Sequence, residues 1–337
     1  MDPIAYWLPV VWAALLGVAV AMYVLLDGFD LGIGIMFLTG VSEDERDAMM
    51  NSIAPYWDGN ETWLVLGGAG LLVAFPLAYS IIMPALYLPL FVMLLALVFR
   101  GVAFEFRFIS KPRHRWWDWS FALGSTVATF CQGLVLGGFV QGISVSGGQF
   151  AGGSFEWLKP FPILCGFGLI AGYALLGSSW LMMKTEGRIA ERAHYHAEVA
   201  LALTLGFILA VSAWTPLTSE RIADRWFQGD RLLYLWPVPF LTAAAAFIAW
   251  AGIRKGSGVQ AFLSAMALFL LCFLGLGIST FPYLVPPSVT IWQAAAVPQS
   301  QIFSLIGALL FLPLVLAYTA FVYWTFRGKV SAGGGYH

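Results

Sequence analysis

Charge is what this sequence has least of. Only 10% of its 337 residues are Asp, Glu, Lys or Arg, against 60% hydrophobic, where a water-soluble chain carries about 25% charged residues. Too little polar surface remains to cover a soluble globule, so the natural solvent is a bilayer. A net charge of −1 provides no basic footprint and excludes a nucleic-acid partner held through its phosphates. Cysteine is scarce too: Cys131, Cys165 and Cys272 each lie in an apolar run with no CxxC spacing. That argues against a disulfide framework, a zinc site or an iron–sulfur cluster, and the three read as small buried hydrophobes. No GxxxxGK[ST] pattern occurs, so nucleotide hydrolysis has no visible motor. The opening MDPIAYWLPV has neither a basic leader nor a small-residue cleavage site, and the first apolar run is expected to be a retained span.

Histidine is the fourth shortage. His114, His194 and His196 fall in expected loops and His337 in the tail. A haem buried in the membrane needs an axial ligand from a helix, and no expected helix interior offers a histidine. The ten methionines read as packing. No haem held by histidine and no metal site are expected on this chain.

What remains is long apolar runs. A span needs about 20 such residues, which predicts an all-α polytopic fold in a single membrane domain over 1–337, with about nine transmembrane helices. They are placed near 5–39, 58–78, 80–104, 118–142, 160–183, 197–215, 232–253, 259–283 and 301–326. The first run exceeds one upright span and is expected to tilt, protrude or break at Asp27-Gly28-Phe29-Asp30. Thirteen of the seventeen Lys and Arg follow the odd-numbered helices: Arg46, Arg100, Arg107, Lys111, Arg113, Arg115, Lys184, Arg188, Arg192, Arg254, Lys255, Arg327 and Lys329. Lys159, Arg221, Arg225 and Arg231 fall on the other side. The positive-inside rule then puts the N-terminus outside and the C-terminus in the cytoplasm, in a multi-pass protein of the bacterial inner membrane. The polar stretch 216–231 reads as an outer amphipathic helix, and SAGGGYH at the end as a flexible tail. The pairs Gly133/Gly137 and Gly168/Gly172 have the spacing of close helix contacts.

Charges at membrane depth cost roughly 2.5–3.5 kcal/mol each on insertion scales, yet the first third of the chain concentrates them. Asp27 and Asp30 share a helix face. Asp58, Asn60 and Glu61 open the second helix, and Arg100 and Glu105 close the third. Asp58 can be read as a helix cap, and Arg100 and Arg107 as anchors at the interface. Asp27 and Asp30, flanked by apolar sequence on both sides, fit a proton path better. There, carboxylates would pass protons through water beside Arg100 as countercharge.

The same residues carry a family resemblance. DGFDLGIG at 27–34, the block from Asn51 to Leu64 (NSIAPYWDGNETWL), FRGVAFEFR at 99–107 and FPYLVPPSVTIW at 281–292 resemble the signatures of subunit II of the cytochrome bd quinol oxidases, more like their cyanide-insensitive branch. The resemblance implies two four-helix bundles plus one peripheral helix. It also implies a larger partner, subunit I, that carries the haems b and d and the quinol-oxidising site. The complex oxidises quinol at the outer face and reduces oxygen to water with cytoplasmic protons. Asp58 and Glu105 resemble the proton-path carboxylates of subunit II, with Glu105 standing where some relatives have Asp. Asp27, Asp30 and Arg100 match polar positions of the same region. Trp57 corresponds to a residue near a bound structural quinone or lipid. Small accessory subunits belong to the same expectation. The residues alone leave two other readings open, a proton-coupled secondary transporter and a purely structural scaffold.

Overall fold

The structure, a computed structural model, describes residues 3–110, 114–229 and 231–330. Lys111, Arg113, His337 and the tail SAGGGYH lie outside the described residues. The chain is built from helices α1 (Pro3–Met36), α2 (Glu43–Asn51), α3 (Trp57–Ala74), α4 (Pro76–Ala85), α5 (Tyr87–Ile109), α6 (Arg115–Gln141), α7 (Pro160–Lys184), α8 (Gly187–Thr218), α9 (Glu220–Phe227), α10 (Arg231–Leu235), α11 (Pro237–Arg254), α12 (Gly258–Thr280), α13 (Ile291–Ala294) and α14 (Pro298–Thr325). Two short antiparallel hairpins interrupt them. β1 (Val145–Ser146) pairs with β2 (Gln149–Phe150), and β3 (Tyr283–Val285) with β4 (Val289–Thr290).

Among the described residues, eight helices are long and apolar enough to cross a membrane. The ninth expected span corresponds to α3, 18 residues long with Asp58 and Glu61 near its start. It ends at Ala74 rather than near 78, because Pro76 pushes Phe75 out of the helical region (φ −138°, ψ 62°). The short α4 then intervenes before α5. Proline also opens α4, α7, α11 and α14, where its missing N–H costs nothing.

Of the alternatives left open for the first run, breaking is excluded, and two other expectations need correction. α1 does not break at Asp27-Gly28-Phe29-Asp30; it runs unbroken to Met36, followed by a 3-10 turn at Phe37–Thr39. α8 starts ten residues before the expected 197, so His194 and His196 are helical rather than in a loop. Arg100 and Arg107 are not interfacial anchors: both are fully buried and ion-paired.

Among the described residues, end contacts gather the helix termini at two faces. At one face the ends of α5 and α7 meet the starts of α6 and α8. Arg107 Nε donates to Asp118 Oδ1 at 2.6 Å, and its Nη1 pairs with Asp47 of α2. Arg46 reaches Asp118 Oδ2 at 2.8 Å, and Arg192 reaches Glu45 at 2.7 Å. Here α2 is clasped to α5, α6 and α8 by charge. Burial pushes the Glu45 carboxyl up, but the Val41 amide and the Arg192 guanidinium outweigh it and hold it below the usual carboxylate range. At the other face, Gln301 Nε2 donates to Ala74 O at 2.8 Å, Trp12 Nε1 to Gln301 O at 3.1 Å, and Ile143 N to Pro286 O at 3.1 Å. We call these the charged face and the hairpin face. The expected amphipathic helix is α9, which buries Ile222 and packs on the end of α12. There Trp226 Nε1 donates to Ser279 Oγ at 2.8 Å, and Arg221 stacks on Tyr283.

Among the described residues, the long helices other than α14 fall into two groups, a first bundle of α1, α3, α5 and α6 and a second of α7, α8, α11 and α12. α7, α8, α11 and α12 close a ring of neighbours; α1 packs on α3 and α6, and α6 on α5. α1 and α6 both pack on α7 and join the groups. The crossing of α1 with α7 is the tightest: a Cβ at Gly32 would lie 1.9 Å from Tyr173 O, and one at Gly177 would lie 2.5 Å from Gly32 C. Only glycine lets two backbones approach so closely. Gly133 and Gly137 make the expected close contact of α6 with α7, whereas Gly168 and Gly172 face the rings of Phe207 and Phe269. α14 is peripheral, with none of its most apolar 18-residue window buried.

Candidate functional site

The site is assembled inside the first bundle from four helices that the sequence holds far apart. Asp27 and Asp30 of α1 are both completely buried. Asp27 Oδ1 accepts from Arg100 Nη1 of α5 at 2.6 Å, an ion pair with 1% and 0% of its side chains exposed. Asp30 Oδ2 accepts from Asn60 Nδ2 of α3 at 2.7 Å, and Asn60 Oδ1 accepts from Tyr323 Oη of α14 at 2.9 Å. Asp27 Oδ2, Asp30 Oδ1 and Arg100 Nη2 have no protein partner.

A second line of polar groups runs from this cluster toward the join with α7. Tyr23 lies one turn before Asp27 on α1. Its hydroxyl accepts from Gln132 Nε2 at 2.7 Å, and Tyr173 Oη donates to Gln132 Oε1 at 2.9 Å. Tyr23 and Tyr173 are buried.

Of the residues expected from sequence, the structure thus brings together Asp27, Asp30 and Arg100. Asp58 and Glu105 are not among them: both are exposed on the outside of the same bundle. Asp58 does not cap α3, whose N-cap position is Tyr56. Glu61 sits between the two groups, half-buried and within electrostatic reach of Arg100, Asp27 and Asp58. Trp57 is half-buried, with its ring stacked on Phe104 at 5.0 Å and the Arg100 guanidinium 5.9 Å from its centre.

Sequence reasoning missed Tyr23, Gln132, Tyr173 and Tyr323 as members of the cluster, and Asp47 and Asp118 as partners of Arg107. A usable signal existed for the last two, since an arginine inside an apolar helix must find a carboxylate. Among the described residues no group of three or more His, Cys, Asp or Glu gathers as a metal site. The groups gathered here are carboxylates, hydroxyls, a carboxamide and a guanidinium. A surface acid, a half-buried acid and a buried acid pair lie in succession, which suits proton transfer.

The family described as cytochrome bd terminal oxidase subunit II matches residues 8–326. The chain is 29% identical to cytochrome bd-I ubiquinol oxidase subunit 2 of Escherichia coli K12, over 95% of this chain and 94% of that one. It is 29% identical to cytochrome bd ubiquinol oxidase subunit 2 of Bacillus subtilis, over 95% and 96%. A chain of the bd oxidase structure from Geobacillus thermodenitrificans shares the fold, with a TM-score of 0.70 at 18% identity over 94% and 99% of the two chains.

Proposed function

The chain belongs to the cytochrome bd terminal oxidase subunit II family, and from that premise we propose that it is the non-haem subunit of a quinol:oxygen oxidoreductase and lines a proton path into it. The observation that carries the path is the succession from exposed Asp58 through half-buried Glu61 to the buried Asp27, Asp30 and Arg100. In this reading the charged face looks into the cytoplasm of a bacterial cell, across the inner membrane from the hairpin face. The haem-bearing subunit I carries haems b and d and takes quinol and oxygen as substrates. It covers the side of the first bundle where Asp58 and Glu105 stand exposed. Covered there, the two acids would face the partner and hand protons to it, while the two bundles give it a rigid support. Trp57, at the same edge, would contact a structural quinone or lipid. Small accessory subunits would dock elsewhere on the same complex. No observation favours a proton-coupled transporter over this reading.

The test is made on the complex. Purification of the tagged chain in mild detergent should bring a larger haem-bearing partner, seen in a reduced-minus-oxidised optical spectrum. The double substitution of Asp58→Asn with Glu105→Gln should keep that spectrum and slow turnover roughly 100-fold, the low end of what a positioned proton-transfer group contributes. Turnover and proton uptake equal to the parent's would remove both acids from the path. A colourless chain without a partner would sink the oxidase reading as a whole.

A further inference from the structure

We propose that Tyr323, on the peripheral helix α14, is a positioning residue for Asp30. Its hydroxyl fixes the Asn60 carboxamide so that the amide nitrogen faces the carboxylate. The inference deepens the proton-path reading and rests on it.

A carboxamide can present either end to a neighbour, and its hydrogen-bond network decides which. Asn60 is 2% exposed, so water does not make the choice. Its nitrogen donates to Asp30 Oδ2 at 2.7 Å and to Leu26 O at 3.3 Å, and its oxygen accepts from Tyr323 Oη at 2.9 Å. Turning the amide over would set its oxygen against both a carboxylate and a carbonyl. It would also lose the Tyr323 donor. The tyrosine thus completes, with Asp30 and Leu26 O, the one orientation that offers a donor to Asp30.

The hydroxyl is itself held in place. α14 rests on the bundle through half-buried apolar side chains such as Leu305, Ala308 and Leu312, and its polar contacts with the bundle are concentrated at the ends. At the charged face, Lys184 Nζ donates to Phe326 O at 2.5 Å and Gly328 O at 3.2 Å. Tyr56 Oη donates to Phe326 O at 2.6 Å. The Tyr56 ring stacks on the Tyr323 ring with 4.5 Å between centres. The last helix thus reaches across the bundle and completes the surroundings of Asp30. The charged and titratable groups that face Asp30 are Asp27 on the same helix, Arg100 on α5 and Glu61 on α3. None of these touches the Asn60 amide oxygen in the structure.

The experiment uses the assembled, haem-loaded complex and reads the pH profile of quinol turnover in four forms: the parent, Tyr323→Phe, Asp30→Asn and the double variant. Phenylalanine keeps the ring stack and removes only the hydroxyl. Loss of the donor on Asn60 should move the profile's midpoint by about one pH unit, the size expected for a changed hydrogen bond to a charged group. The shift should be absent when Tyr323→Phe is made on top of Asp30→Asn. Gln301→Leu, which loosens α14 at its far end, should leave the profile in place. A Tyr323→Phe profile that coincides with the parent's, while Asp30→Asn alters it, overturns the positioning role and leaves the proton path standing. An equal shift with and without Asp30 also overturns it. Asp30→Asn with an unaltered profile overturns the path reading at Asp30, and the proposal with it. If Tyr323→Phe lowers haem content, Asn60→Ala cuts the same link and is read by the same criteria.

Discussion

Replacing Arg100 by methionine would leave Asp27 and Asp30 buried without a cation. Both acids are completely buried, and Arg100 itself is 1% exposed, so solvent cannot take over the guanidinium's role. Removing one member of such a pair costs about 3–5 kcal/mol, because the remaining charge stays unpaired in a medium of low polarity. At roughly 2–4 °C per kcal/mol for a large domain, the melting temperature of the complex should fall by about 6–20 °C. The double variant Arg100→Met with Asp27→Leu removes both charges and fills their space with apolar atoms. It should recover part of the loss, since a well-packed apolar substitute for a buried pair is often neutral or better, while Asp30 stays buried without the cation. Thermal aggregation of the purified complex, followed by size exclusion and haem absorbance, measures both. An Arg100→Met complex that melts within a degree of the parent would refute the reasoning. So would a double variant no more stable than the single one.

Two further predictions concern other parts of the molecule. Gly32→Ala places a methyl group 1.9 Å from Tyr173 O and should destabilise the α1–α7 crossing by about 1–3 kcal/mol or more. Gly307→Ala in α14, with nothing within 4 Å of the new Cβ, should be harmless or slightly stabilising; equal melting temperatures for the two variants would contradict the close crossing. Glu45, held below its ordinary range in the fold, contributes stability that is present above its unfolded value of about 4.3 and lost as pH falls through the lowered folded value. Hydrogen-exchange protection of α2, titrated downward from pH 7, should therefore decline in acid in the parent. Glu45→Gln should be less protected near neutrality and show a flatter decline; identical acid profiles would count against the clasp.

Apolar runs made the helices legible because lipid demands long unbroken stretches, and prolines explain where α3 stops. The cluster was legible only in part, for a geometric reason. A helix turns about 100° per residue, so residues adjacent in a motif point different ways. Asn60 and Asp58 lie about 200° apart on α3, and one enters the core while the other faces out. Arg100 and Glu105 lie about 140° apart on α5, with the same division. A dense patch of charge in the sequence thus becomes a buried half and a surface half. Tyr323 and Gln132 were invisible because a lone tyrosine or glutamine carries no motif, and their partners lie 41 to 263 positions away in sequence.

The unbroken length of α1 has an electrical consequence. Its 34 residues make a rod about 51 Å long at 1.5 Å per residue, while the hydrocarbon layer is only about 30 Å thick. Tyr6, Trp7 and Trp292 gather at the hairpin face, where aromatic rings favour the headgroup level. Counting about 20 residues down from Trp7 brings the rod to Asp27, at the far boundary of the insulating layer. A membrane potential falls across that layer, at about 2.3 kcal/mol per charge for each 100 mV. In the proposed orientation a proton entering from the charged face reaches Asp30 after crossing almost none of that drop. On the proposed path the cluster would be an entrance at the foot of the field, with nearly all the work against the potential done beyond it.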